Sequence, residues 1–134
     1  MPVRSLSSSV FAWPNKKEIE GALTDWSRET TWRASALCAV GYFGSYARGD
    51  WGVGSDLDLV LVVEQDNRPF ERRAAAWDTA AFPVPVDLLV YTIAEIAVMQ
   101  RRGGRFIETL RRETQWIWRR EGWAGPFDLF ATDK

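Results

Sequence analysis

The sequence predicts a mixed α/β domain in which a small mixed sheet is covered by helices on one side. Three observations carry this reading. Apolar runs of strand length occur at 35–43, 56–63 and 86–91. The segments around them carry helical spacing and are punctuated by Gly, Pro and Asp. The resulting order (helix, strand, turn-helix, strand, helix, strand, helices) is that of one sheet covered by helices, in a single domain spanning 1–134 with no internal repeat and no interdomain linker.

Residues 1–12 are Ser-rich and are expected to be flexible or an edge segment. Pro14 and Asn15 open a helix to about Thr30. Ile19, Ala22, Leu23 and Trp26 recur there at helical spacing, and Lys16, Lys17, Glu18, Glu20 and Asp25 fall largely outside that stripe. Ser35 to Phe43 is apolar, broken only by Gly41, and reads as a buried strand in which Cys38 is a small buried hydrophobe. Gly44 and Ser45 end it, and Ser45 to Arg48 starts a short helix. Gly49 to Ser55 is a connection with three glycines.

Asp56 to Val63 then reads as a central strand whose start is exposed at the sheet rim. Phe70 to about Ala80 is a helix candidate rich in alanine, broken by Pro83 and Pro85. Val86 to Tyr91 is the third strand, with the two prolines before it rather than inside it. Thr92 and Glu95 form a capping-box pattern for a helix to about Arg101. After Gly103 and Gly104 come a helix over 105–113, a short last strand over 115–119, and a Gly-Pro-aromatic tail over 123–134.

The candidate chemistry lies where the first two strands meet. Side chains alternate along a strand, so Asp56 and Asp58 face the same way, with Cβ atoms about 7 Å apart. Flexing carboxylates at that distance can bracket a pair of cations about 3.5–4 Å apart. Asp87 supplies a third acid from a separate apolar run. An apolar strand carrying aspartates on one face suffers charge repulsion and desolvation unless a cation neutralises them. The turn beside them suits a phosphate: Gly44 lets a ligand approach the backbone, and Ser45 stands near a helix start with unpaired N–H groups.

Composition narrows the chemistry further. The chain has 134 residues, a formal net charge of −1 and a pI near 5.5, which argues against a protein whose main work is coating nucleic acid. It has no histidine, and thus neither the commonest general base nor the commonest zinc ligand. Its single cysteine excludes an internal disulfide and a Cys-rich metal site. What remains is carboxylates, hydroxyls, arginines and a supplied cation. No apolar run reaches the roughly 18–20 residues needed to span a bilayer, so a cytoplasmic protein is expected. Eight tryptophans is a high count for this length and points toward a partner surface.

Phe43-Gly44-Ser45, a ten-residue gap, Asp56-Leu57-Asp58-Leu59 and the later Val86-Asp87-Leu88 together resemble the DNA polymerase beta nucleotidyltransferase superfamily. The string GSYARGDWGVGSDLDL is most similar to its short members, the minimal nucleotidyltransferases (MNT type), commonly encoded beside HEPN-domain proteins as antitoxins. The resemblance covers about Ala36 to Tyr91 and implies a polymerase-beta-like nucleotidyltransferase fold. It implies that Asp56 and Asp58 ligate two Mg²⁺ ions. Asp87 would complete that site and help deprotonate the attacking hydroxyl. Gly44 and Ser45 would hold the β and γ phosphates of a nucleoside triphosphate, and Arg48 would pair with phosphate. Ser55 would orient Asp56 or cap the turn before it.

The activity so implied is transfer of AMP from ATP to a tyrosine of a partner HEPN-domain toxin. Adenylylation of a small aminoglycoside-like acceptor ranks lower, because such relatives carry an added helical domain and only about 43 residues follow Tyr91. A non-catalytic antitoxin that neutralises its partner by contact belongs to another class. Nucleic-acid extension rests on seven arginines between Arg101 and Arg120, which read more simply as helix surface and a contact for an acidic partner.

Overall fold

The computed structural model describes residues 13–31, 33–34 and 36–123. The expectations for residues 1–12, for Ser35 and for the tail beyond Trp123 lie outside them. Helix α1 (Lys16–Thr31) starts on Asn15, whose side-chain oxygen accepts the Glu18 N–H at 2.8 Å while the Glu18 carboxylate accepts the Asn15 N–H at 2.9 Å. Strand β1 (Leu37–Phe43) runs into a one-turn helix α2 (Ser45–Arg48), and β2 (Leu57–Val63) follows. Helix α3 (Phe70–Arg73) passes into a 3₁₀ turn (Ala74–Ala76). Strand β3 (Val86–Thr92), helices α4 (Ile93–Arg102) and α5 (Arg105–Glu113) and strand β4 (Gln115–Arg119) complete the order.

The sheet runs β3-β2-β1-β4. β1 is antiparallel to both β2 and β4, and β2 is parallel to β3, so the sheet is mixed as expected. Its cover differs from expectation, because helices lie on both faces. α1 presents Ile19, Leu23 and Trp26 to Val40, Tyr42, Leu57, Leu59 and Leu61. On the other face Ile96 of α4 and Ile107 and Leu110 of α5 pack on Cys38, Ala39 and Val62. The reason is visible in β2, where Leu57 and every residue from Leu59 to Val63 is buried: a strand apolar on both faces needs two layers over it. Each fully buried aliphatic side chain contributes about 1.5–3 kcal/mol. Gly41 sits where β4 crosses closest, since a Cβ there would come within 2.6 Å of Thr114 and 2.8 Å of Trp116.

Two boundaries also moved. β2 begins at Leu57, leaving Asp56 just outside it. The helix expected to reach Ala80 stops after Ala76, and Trp77 is extended (φ −112°, ψ 135°). Tertiary contacts override alanine's helix propensity here. The Trp26 ring lies 6.3 Å from Trp77 and 5.7 Å from Phe82, and its Nε1–H donates to the Asp78 carbonyl at 2.7 Å. Among the described residues no helix is long and apolar enough to cross a membrane.

One buried cation ties the edge strand to its surroundings. The Arg73 guanidinium donates to both Glu95 carboxylate oxygens, at 2.6 and 2.9 Å, and to the carbonyls of Arg68 and Val90 at 2.9 and 3.1 Å. Glu95 also completes the capping box with Thr92 at the start of α4. Arg73 holds the Glu95 carboxyl below its ordinary value. This contribution is therefore present at neutral pH and is lost as pH falls through the depressed value. Arg73→Met is expected to cost about 3 kcal/mol in urea unfolding, the low end for breaking a buried pair because Glu95 is partly exposed. The variant should also lose less stability than the wild type on acidification to the carboxylate range.

Candidate active site

The rim of the sheet gathers the acids through strand register. In the parallel ladder Asp58 lies level with Asp87, and across the antiparallel ladder it faces Phe43, the last residue of β1. Leu57, Leu59 and Leu61 join the core on the α1 side. Alternation therefore turns Asp58 and Asp87 to the face that carries Val62 and Tyr91 under α4 and α5. Asp56 precedes the strand by one residue and is exposed, Asp58 is half-buried and Asp87 is exposed.

Asp58 bears the strain of this arrangement. Its carboxyl is raised above the ordinary value of 3.8, first by burial, then by the charges of Asp87 and Asp56, with Glu113 adding to them and Arg48 opposing. Among the described residues no three His, Cys, Asp or Glu side chains form a ready-made metal cage. The donor set nevertheless fits a hard divalent cation: carboxylate oxygens only, at an open rim, with the charged form of one already made costly by burial and by its neighbours.

The neighbouring turn is built around Gly44. Its backbone has φ 79° and ψ −152°, and a Cβ at this position would overlap the Asp58 carboxylate. Only glycine meets both demands. The turn is fixed from beneath by Tyr46, which is fully buried, donates its hydroxyl to the Pro14 carbonyl at 2.8 Å and stacks on Trp51 with ring centroids 5.5 Å apart. Gly49, at φ 89°, closes α2 through its N–H to the Ser45 carbonyl. The Ser45 side chain is half-buried, and its hydroxyl makes no hydrogen bond among the described residues.

Arg48 reaches Asp50 at 3.1 Å and Glu113 at 3.4 Å. The Ser55 hydroxyl accepts the Gly52 N–H at 2.8 Å, so it caps the glycine-rich connection just before Asp56. The residues expected at the site thus lie around one rim, with Ser55 turned back into its own loop. Glu113 was missed. It closes α5, and one of its oxygens also accepts the Gly44 N–H at 3.4 Å, a contact 69 residues away that no local spacing reveals.

The raised Asp58 carboxyl has a measurable consequence. The folded chain holds its proton more tightly than the unfolded chain, so the penalty is absent below the ordinary carboxylate value and complete above the raised one. Stability measured without divalent cation should fall as pH rises through that window. Asp58→Asn should flatten the fall and raise the neutral-pH melting temperature, by about 2–4 °C for each kcal/mol relieved.

Comparison with known proteins bears on the fold and the family. Among curated proteins none matches this chain in sequence. A protein described as a nucleotidyltransferase from Sulfolobus solfataricus is 20% identical, with a TM-score of 0.57 over 80% of this chain and 86% of its own. That likeness shows the fold. A toxin–antitoxin structure with AMP-PNP (18% identical, TM-score 0.46) and an MntA–HpeT toxin–antitoxin variant (16%, 0.48) each match 76% of this chain and 74% of theirs. The family model of the nucleotidyltransferase domain matches residues 31–117, more than half of the chain and every element from β1 to α5, and the chain belongs to that family.

Proposed function

We propose that this chain is a Mg²⁺-dependent nucleotidyltransferase that moves AMP from ATP onto a tyrosine hydroxyl of a partner HEPN-domain toxin, as an antitoxin does. The observation that carries the reading is the register of Asp58 beside Asp87, with Gly44 backed against the Asp58 carboxylate. Asp56, Asp58 and Asp87 are the residues that would hold two Mg²⁺ ions. When bound, the ions neutralise the triphosphate and stabilise the attacking and leaving oxygens of an in-line displacement.

The protein's own groups do the rest. The Gly44 N–H and the Ser45 hydroxyl donate to the β and γ phosphates, and Arg48 turns from Asp50 to the same phosphates. Asp87 takes the proton of the attacking tyrosine hydroxyl. That oxygen bonds to the α phosphorus, the bond from the α phosphorus to the bridging oxygen of the β phosphate breaks, and pyrophosphate leaves with its electron pair. Ser55 keeps the connection to Asp56 short and in place.

A macromolecular acceptor suits the surface beside the aspartates. Phe43, Phe106, Tyr91 and Phe70 form a chain of ring contacts at 6.3, 6.4 and 5.0 Å leading away from Asp58. Phe70 and Phe106 are 39% and 41% exposed, which is contact area that a small acceptor would not use. Arg101 and Arg102 at the end of α4 and Arg105 and Arg112 on α5 are exposed, and they favour an acidic partner face.

The test is transfer from α-labelled ATP with Mg²⁺ to a co-expressed HEPN-domain partner. Wild type should label the partner on a tyrosine, while Asp56→Asn and Asp58→Asn should each lower labelling by at least about 100-fold. A tight complex formed equally by wild type and both variants, with no label in any, would instead make this a contact-neutralising antitoxin.

A further inference from the structure

We propose that Glu113 is a built-in competitor for the nucleotide's phosphates, because one oxygen of its carboxylate occupies both the Gly44 amide and the Arg48 guanidinium that a triphosphate would need. The proposal rests on the nucleotidyl-transfer reading of this rim and adds a specificity-determining residue outside the three aspartates.

Geometry makes the competition direct. Glu113 Oε1 lies 3.4 Å from the Gly44 nitrogen and 3.4 Å from Arg48 Nη1. An anionic oxygen accepting from a backbone N–H and a guanidinium is the pattern a phosphate oxygen makes. Both contacts are long for hydrogen bonds, so they yield readily to a ligand that can make shorter ones. The position is not accidental to a loose side chain. Glu113 is 24% exposed, it ends α5, and β4 starts two residues later with Gln115 paired to Tyr42, two residues before Gly44. The strand register therefore delivers the carboxylate to the turn.

Helix α5 has no use of its own for an acid at this point. A negative charge in the last turn opposes the helix dipole, whereas Arg111 and Arg112 beside it suit that end. Arg111 pairs with Glu108 on the helix surface, and Glu113 turns to the rim instead. There it adds to the negative charge that already bears on Asp58. Once a triphosphate arrives, the displaced carboxylate stands beside its charged oxygens and repels them.

The expected consequence is a threshold. A ligand with little phosphate charge fails to displace Glu113, whereas a triphosphate accompanied by cations makes several stronger contacts and does. Relieving the competition should tighten binding in proportion to the phosphates present and leave the nucleoside alone.

Calorimetric titration with Mg²⁺ and a non-hydrolysable ATP analogue tests this on wild type, Glu113→Gln and Glu113→Ala, with adenosine as the control ligand. Removing one like charge at a part-exposed site should tighten the analogue about tenfold in Glu113→Ala. Glu113→Gln, which keeps the shape and loses the charge, should fall between the two. Adenosine affinity should not change. Melting curves on the same samples establish that both variants fold. Equal affinity in wild type and variants would make the contact incidental, and weaker affinity would make Glu113 a ligand of the cation; either result overturns the proposal. If none of the three proteins binds the analogue, the nucleotidyl-transfer reading itself falls and takes this inference with it.

Discussion

Two carboxylates held level on neighbouring strands repel each other, and the packing of the sheet keeps them level against that repulsion. The parallel pairing of β2 with β3 sets Asp58 beside Asp87 and cannot slip by one residue without turning the buried leucines of β2 to the wrong face. The apolar side of the ladder thus enforces the charged side. Burial first, and then the charges of Asp87 and Asp56, raise the Asp58 carboxyl, while Asp56 and Asp87 are more exposed than Asp58.

Three groups of contacts converge on the same rim, and a fourth holds the opposite end of β3. Tyr42 donates its hydroxyl to Glu20 and Tyr46 donates to Pro14, which fasten the end of β1 to α1 and the turn after it to the lead-in of α1. The Pro85 carbonyl accepts the Leu57 N–H at 2.8 Å, so the lead-in to β3 holds the start of β2 where Asp56 emerges. Arg73 and Glu95 bind the far end of β3 to the segments around it. α5 closes the last side with Phe106 against Phe43 and Glu113 against Gly44. Rigid elements thereby surround a rim whose own groups are polar and accessible, the usual division between scaffold and site.

Much of this could be read from the residues before any coordinates. Gly44 followed by Ser45, and Asp56 and Asp58 two apart before a valine and leucine run, are local patterns that the strand register sets around one rim. The same is true of the Ile19, Leu23 and Trp26 stripe and of the Thr92–Glu95 capping box. Local reading failed where the deciding contact is distant. Alanine-rich 74–80 looks helical until the Trp26 ring, packed on Trp77 and Phe82, ends the helix at an extended Trp77. The second helical layer was implied by the unbroken burial of 59–63, but an apolar run alone does not say whether one face or two is covered. Glu113 could be recognised only through the β1–β4 register, because in the sequence it is one more acid on a charged helix.

The proposed cation site of Asp56, Asp58 and Asp87 lies beside the proposed phosphate-binding turn at Gly44. The most direct measurement is an anomalous-difference map from crystals grown with Mn²⁺ and a non-hydrolysable ATP analogue. The proposed site requires anomalous peaks between the three aspartates, with triphosphate density over the Gly44 amide and the Ser45 hydroxyl and the Glu113 carboxylate withdrawn from Gly44. Nucleotide bound elsewhere, or bound at Gly44 with no metal peak among the aspartates, would contradict it.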